Sequence, residues 1–234
     1  MDEAKKNKNK FFVQAYRFFA NIIYLLFFLT LLQVFAFRFI DSTFVMSNLS
    51  LRLKNIFTSE RYIIPKGEWR SLNDISPYLI KAVLAAEDQR FMYHSGFDFR
   101  EIYRAVKDSY SDKKIRGAST ITMQMARTVF LWHGRDILRK TVEAYYTVLI
   151  EFVMPKKRIM EIYLNTVDWG IGIRGAEAAS KKYFHKKSSA LTAEEAALLA
   201  AILRGPHTLS PINPDEYVIA RQTRILKDMA KMNL

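Results

Sequence analysis

The segment from residue 82 to 98, AVLAAEDQRFMYHSGFD, places the acidic residue Glu87 at the end of an apolar helix. Ser76 followed by Pro77 is typical of a helix start, and an apolar stripe with three- and four-residue spacing leads from there to Glu87. The stripe consists of Leu79, Ile80, Val83 and Leu84. A partly desolvated carboxylate in this place is suited to exchanging a proton near neutral pH. Taken alone, Glu87 is equally well explained as a structural carboxylate whose oxygens bond to a neighbouring backbone N–H or to Arg90.

A second segment, RGASTITMQ at residues 116–124, is rich in hydroxyl groups and precedes an apolar helical pattern. Its hydroxyl residues are Ser119, Thr120 and Thr122, and Arg116, Gln124 and, just beyond it, Arg127 add cationic and amide groups. Hydroxyl residues cap most helices, so ordinary N-capping is one interpretation. The cations in the same stretch favour another, an anion site at the free N–H groups of the helix start.

A third segment contains a second acid, Glu143, three and four residues after Lys140 and Arg139 on a helix predicted over residues 137–153. Such pairs are often surface ion pairs worth a few tenths of a kcal/mol, which in isolation is the better interpretation. Together, however, the three segments follow one another along the chain as an acid, a cluster of hydroxyl and cationic side chains, and a second acid. This is the layout expected of a sugar-transferring site.

Composition limits the class of protein. With 234 residues, 50% of them hydrophobic, the chain can bury the core of one globular domain. The absence of cysteine excludes disulfides, thiolate catalysis and Cys-ligated zinc. A net charge of +13 fits nucleic acid, anionic lipid or an anionic substrate as partner, although scattered surface cations account for much of it.

The N-terminal region predicts a membrane anchor. Residues 18–37 carry no charge and, as a helix, would cover the roughly 30 Å hydrocarbon core of a bilayer. No small-x-small cleavage site follows, so an uncleaved anchor is favoured over a signal peptide. The basic residues before the span predict a cytoplasmic N-terminus and place the rest of the chain outside, which disfavours nucleic acid as partner.

The predicted organisation has four parts: a basic cytoplasmic tail at 1–17, the transmembrane anchor at 18–37, a connector at 38–70 and a mostly helical domain at 71–234. In that domain Thr192 and Glu195 form a capping-box pattern ahead of a core helix.

Three other patterns are set aside. Residues 170–175 match G-x-G-x-x-G, but residues 159–165 before them predict a helix rather than the strand that a dinucleotide site needs. Residues 111–114 match S-x-x-K without the partner motifs of a transpeptidase. The four histidines lack metal-ligand spacing, which argues against a zinc site.

Five ordered motifs resemble those of the bacterial peptidoglycan glycosyltransferases, over roughly residues 70–214. They are Glu87-Asp88-x-x-Phe91-x-x-His94-x-Gly96-x-Asp98, Gly117 to Gln124, Arg139-Lys140-x-x-Glu143, Ile159 to Asn165 with Gly170 to Phe184, and Glu195 to Ala200. Met123, where the family usually has Gln, and Arg127-Thr128, where Lys-Asn is common, are mild departures. Because no transpeptidase domain follows, the chain is most similar to the monofunctional biosynthetic transglycosylases.

The resemblance implies a mainly α, lysozyme-like helical domain behind a single transmembrane helix, in the inner membrane with the domain in the periplasm. It implies polymerisation of lipid II, with inversion and release of undecaprenyl pyrophosphate. Glu87 would be the base, and Glu143 would act near the leaving group, with a divalent cation (Mg or Mn) as an open option. The substrate-binding residues would be Asp88, Phe91, His94, Arg116, Ser119, Thr120, Gln124, Arg127, Arg139 and Lys140.

The partners implied are lipid II, the lipid-linked glycan strand, the membrane and proteins of cell-wall assembly or division, with neither nucleic acid nor an organic cofactor. Two alternatives stay open. A lytic transglycosylase has a related fold and one catalytic Glu but cleaves strands. A membrane scaffold without enzymatic activity would not depend on Glu87.

Overall fold

The structure is a computed structural model that describes residues 2–43, 45–59, 61–110, 117–132, 134 and 136–232. Within these ranges the chain forms ten α-helices and one two-stranded sheet, so the predicted mainly α class is confirmed. The helices are α1 Asp2–Phe37, α2 Met46–Phe57, α3 Pro77–Glu87, α4 Phe99–Tyr110, α5 Ile121–Phe130, α6 Ile137–Val153, α7 Lys156–Thr166, α8 Ala176–Phe184, α9 Ala193–Ile202 and α10 Glu216–Met229. The strands are β1 Asp168–Gly170 and β2 Ile173–Arg174, and single 3-10 turns lie at Leu72–Asp74, Phe91–Tyr93 and Ser188–Ala190.

The first of two compact units is Met1–Ile40 and contains helix α1. Its segment Lys10–Phe37, 28 residues long, is apolar enough to cross a membrane by length and composition. At about 1.5 Å per residue it is longer than the roughly 30 Å hydrocarbon core of a bilayer. Large apolar side chains such as Phe18, Ile23 and Leu26 are exposed along it. The helix is therefore consistent with the predicted single-pass anchor.

The second unit, Asp41–Leu234, has its core around helix α9, which packs against α3 and α10. Six residues of α9 from Ala196 to Ile202 are fully buried, because small alanines let the neighbouring helices approach closely. The predicted capping box is present: Thr192 accepts from the N–H of Glu195, and Glu195 accepts from the N–H of Thr192. It starts the helix at Ala193.

Helices α5, α6 and α7 form the other side of this unit, with α5 packed against both neighbours. The ring of Phe130 in α5 stacks on Tyr146 in α6, with centroids 4.8 Å apart. Helix α6 begins and ends at the predicted residues. Its start is capped by Asp136, whose carboxylate accepts from the N–H of Arg139 at 2.7 Å.

The stretch predicted as a connector, 38–70, is more structured than the sequence suggested. It contains helix α2, which packs against α5, and Lys66 pairs with Ile173 of β2 in a parallel bridge. The N–H of Arg70 also donates to the side chain of Asn165 at 2.8 Å. From Asp41 onward this stretch belongs to the second unit.

The segment with the set-aside glycine pattern is a β-hairpin. Strands β1 and β2 pair antiparallel, with Asp168 opposite Arg174, and α7 before them is helical as predicted. Gly175 follows with φ of 79°, and a Cβ there would lie 2.8 Å from the carbonyl oxygen of Asn165. Only glycine permits this close turn from strand to helix α8.

Candidate active site

Glu87 is the last residue of α3, and both of its carboxylate oxygens are engaged. Gln124 donates to Oε2 at 2.9 Å, and Arg221 of α10 donates to Oε1 at 2.9 Å. The Glu87 and Arg221 side chains are only 13% and 14% exposed. The sequence-based alternative that Arg90 neutralises Glu87 is wrong, because Arg90 pairs with Asp98 at 2.8 Å.

Behind Glu87 a buried tyrosine fixes the orientation of Gln124. The hydroxyl of Tyr163 donates to Gln124 Oε1 at 3.0 Å. Burial, reinforced by the charge of Glu87, raises the pKa of Tyr163 well above its ordinary value. The phenol therefore stays protonated and occupies the amide oxygen, which leaves the amide nitrogen to face Glu87.

The next acid, Asp88, holds the start of α5. Its carboxylate contacts His94 Nε2 at 2.9 Å and accepts from the N–H of Ile121 at 3.1 Å. Thr120 caps the same helix by accepting from the N–H of Met123 at 3.2 Å. The expectation of free N–H groups for phosphate at this helix start is therefore wrong for these two amides, because protein oxygens already occupy them.

A close approach of loop and helix holds this region together. Thr120 donates to the carbonyl of Gly96 at 2.6 Å. Gly96 has φ of 91°, and a Cβ there would lie 2.6 Å from the Thr147 methyl group in α6. Glycine is required where the loop passes α6.

A cavity of about 320 Å³ opens beside Glu87. Predicted residues at its wall are Glu87, Asp88, Ser119, Thr120, Gln124 and Arg127. Residues of the wall that the sequence analysis did not select include Arg90, Asp98, Glu101, Arg104 and Arg204. Glu87, three further carboxylates and four arginines therefore line one concave space, whose mixed charge suits a polar substrate.

A second, smaller cavity of about 150 Å³ adjoins the first through Arg127, which lines both. Its wall also includes Arg139 from α6 and Arg174 from β2. The cavity is strongly cationic, which fits a site for the phosphates of a substrate.

Glu143 lies beneath this cationic wall rather than in it. Its side chain is fully buried, and its carboxylate accepts from Lys140 and, at 3.4 Å, from Arg139. It lines neither cavity. The geometry suits Glu143 to positioning the two cations, and because cations already occupy its oxygens it does not fit as a metal ligand.

Among the residues that the structure describes, three further predicted site residues line neither cavity. They are Phe91, His94 and Lys140. Phe91 is buried, with Lys156 Nζ 4.4 Å from its ring centre, so its role here is packing. Arg116 lies outside the described residues. The assignment of these side chains to substrate binding stays a prediction.

Asp88, His94 and Asp98 form a group whose ligand atoms lie within 4.8 Å of one another, which histidine spacing did not reveal. His94 Nδ1 and Asp98 Oδ2 are buried without a hydrogen-bond partner among the described residues. One imidazole and two carboxylates fit a divalent cation, Mn²⁺ better than Mg²⁺.

Arg221 is absent from the site residues that the sequence predicts, and Tyr163 appears among the motifs without a predicted role. Arg221 is 134 positions from Glu87, so no local spacing connects them. Tyr163 lies in α7, directly before the buried Leu164, and a buried tyrosine hydroxyl usually needs a partner. That rule could have indicated a polar contact but not its identity.

Comparison with known proteins adds independent information. A model of the family described as Transglycosylase matches residues 57–230. A biosynthetic peptidoglycan transglycosylase of Shewanella oneidensis is 42% identical over 220 residues, which cover 94% of this chain and 93% of the relative. One of Mannheimia succiniciproducens is 41% identical over 98% of this chain and 93% of its own. One of Bdellovibrio bacteriovorus is 47% identical over 73% of this chain and 68% of its own.

Proposed function

This chain belongs to the transglycosylase family, and from that membership we propose that it polymerises the glycan strands of peptidoglycan from lipid II. The observation that carries the mechanism is the placement of Glu87 in a cavity that Arg127 connects to a cationic one. The first cavity holds the reacting sugars, and the cationic cavity holds the phosphates of the donor.

In the proposed reaction Glu87 takes the proton from the 4-hydroxyl of the acceptor sugar. The oxygen forms a bond to the anomeric carbon of the donor, the carbon–oxygen bond to the diphosphate breaks, and the configuration inverts. Undecaprenyl pyrophosphate leaves with the electron pair. Gln124 and Arg221 orient the carboxylate, and Arg127 and Arg139 stabilise the charge that develops on the leaving group.

We also propose a binding site for a divalent cation, Mg²⁺ or Mn²⁺, although no step of the proposed reaction depends on it. Asp88, His94 and Asp98 would hold it, and it would supply positive charge at the end of α3. The steps assigned to Glu87 and the arginines require no organic cofactor.

Helix α1 would anchor the enzyme in the inner membrane, with residues 41–234 in the periplasm. This location suits a reaction whose substrate and product are both lipid-linked. Proteins of cell-wall assembly or division are proposed partners, and the location leaves no role for nucleic acid.

The test is incubation of the full chain in detergent with purified lipid II, followed by muramidase digestion of any polymer. Glu87→Gln keeps the shape of the side chain but removes the base, and we expect polymerisation to fall by about two orders of magnitude or more. Glu216→Gln, an exposed carboxylate on α10, is the matched control and should keep full activity. Near-normal polymer formation by Glu87→Gln would remove Glu87 from the mechanism.

The same assay separates the alternatives. A lytic transglycosylase would shorten preformed strands instead of lengthening them. A scaffold without activity would form no polymer, and Glu87→Gln would leave the cellular phenotype unchanged.

A further inference from the structure

The smaller cavity brings together three guanidinium groups from three separate elements. Arg127 comes from α5, Arg139 from α6 and Arg174 from β2. Arginine binds phosphate through paired N–H donors in a fixed fork, so three arginines around about 150 Å³ favour a small multivalent anion. Arg174 is not among the site residues that the sequence predicts.

The charge of the cavity is unbalanced. Asp168 is the single carboxylate among the described lining residues, against three cations. The oxygens of Asp168 also have other partners: the N–H of Gly170 at 3.1 Å and His207 Nε2 at 2.7 Å. Behind the wall Glu143 is shared in the same way between Arg139 and Lys140, so four cations stand against two carboxylates among these described residues.

Burial makes this excess costly without an anion. Arg139 and Arg174 are only 8% and 3% exposed. Arg139 contacts Glu143 through one terminal nitrogen at 3.4 Å, while its Nε has no hydrogen-bond partner among the described residues. Burial lowers the pKa of Arg174, and the charge of Asp168 acts against that shift. A bound anion would offset that cost.

The backbone holds Arg174 in place. It lies opposite Asp168 in the β-hairpin, and its N–H donates to the carbonyl of Lys66 at 3.3 Å. Gly175 then turns the chain at a position where a Cβ would meet the carbonyl of Asn165. The glycine pattern at residues 170–175 thus forms a hairpin and a close turn that fix the backbone position of Arg174.

We propose that Arg174 is a further substrate-binding residue, which holds the diphosphate of the leaving group together with Arg127 and Arg139. This inference rests on the proposed function. A diphosphate fits three arginines better than a carboxylate because it carries more charge and more acceptor oxygens. Arg127 also lines the cavity of Glu87, so an anion in the smaller cavity would lie next to the proposed site of the reacting sugar.

Binding is tested with the full chain in detergent and inorganic pyrophosphate as the probe, with malonate as the carboxylate comparison. Trp132 lines the cavity and is 40% exposed, so its fluorescence should change on titration, and Trp132→Phe should abolish that change. We expect pyrophosphate to bind more tightly than malonate. Equal affinity for the two anions would overturn the assignment to diphosphate.

Two substitutions examine Arg174 itself, with binding measured by calorimetry. We expect Arg174→Gln to weaken pyrophosphate binding by roughly tenfold to a hundredfold, the range for one charge-assisted hydrogen bond. Arg174→Lys keeps the charge but loses the fork, so its loss should be smaller. Arg158→Gln is the matched control, since that partly buried arginine pairs with Asp41 and Glu161 instead, and it should bind pyrophosphate like the native protein.

Circular dichroism checks that each variant is folded. If Arg174→Gln does not fold, Arg174→Lys takes its place in the binding measurement. In the lipid II assay the folded variants should show a raised KM or a lowered kcat in proportion to the lost pyrophosphate affinity. Unchanged pyrophosphate binding in a folded Arg174 variant would overturn the inference and leave polymerisation by the native protein standing. A native protein that binds pyrophosphate through Arg174 but makes no polymer would overturn the proposed function alone.

Discussion

The ion pair between Glu87 and Arg221 makes a quantitative prediction about stability and activity. Arg221→Met removes the guanidinium but keeps a long side chain, which leaves the carboxylate with Gln124 as its one described partner. At 2.9 Å and an effective dielectric constant of about 20, the gross attraction is about 6 kcal/mol. Desolvation of both groups offsets most of it, since each side chain is nearly buried.

A double-mutant cycle isolates the net value. Each single change, Glu87→Gln or Arg221→Met, leaves a charged partner poorly paired, whereas the double change leaves none. We expect Arg221→Met to lower the free energy of unfolding by about 2 to 3 kcal/mol and the coupling energy to be about 1.5 to 3 kcal/mol. Arg221 also donates to the carbonyl of Ala201 at 3.0 Å, but that loss is common to both backgrounds and cancels.

The assay is urea unfolding in detergent for the four proteins, followed by tryptophan fluorescence. The exposed pair of Asp228 and Lys231, 3.2 Å apart, is the control cycle and should give a coupling below about 1 kcal/mol. In the lipid II assay Arg221→Met should lose between about ten- and a hundredfold in rate, because the base is less well oriented. A coupling no larger than that of the control pair would refute the claim that Arg221 holds the base.

Two further predictions concern acid stability and topology. Burial opposes ionisation of Glu177, but hydrogen bonds from Ser188, Arg70 and Lys181 together outweigh it and bring the pKa from the ordinary 4.5 to about 2. The ionised Glu177 therefore stabilises the folded protein above pH 4.5, and this stabilisation is lost as the pH falls toward 2. Unfolding measured across this pH range should show a loss of up to about 3 kcal/mol in the native protein. The variant Glu194→Gln, at an exposed position, should show the same loss, and Glu177→Gln should not. For topology, the uncharged span 18–37 and its basic flank predict a periplasmic C-terminus. A reporter that is active only in the periplasm should therefore work when fused after Leu234, and a reporter that is active only in the cytoplasm should not. The opposite pattern would contradict the proposed orientation.

The sequence was sufficient where the cause of a structure is local. Helix α6 begins after Asp136 and ends at Val153 as predicted, because an N-cap and the spacing of apolar residues act within a few turns. The capping box at Thr192 was predicted for the same reason. The ordered motifs also predicted a family that the comparisons confirmed.

The tertiary structure decided which charges meet. Arg221 reaches Glu87 because α10 and α3 both pack on α9. Asp88 occupies an N–H of α5 that the sequence had left for phosphate, since the loop after α3 passes the start of that helix. Arg174 joins Arg127 and Arg139 only when the hairpin folds against the helices. Such pairings depend on the distances between packed elements, and neither composition nor spacing along the chain encodes those distances directly.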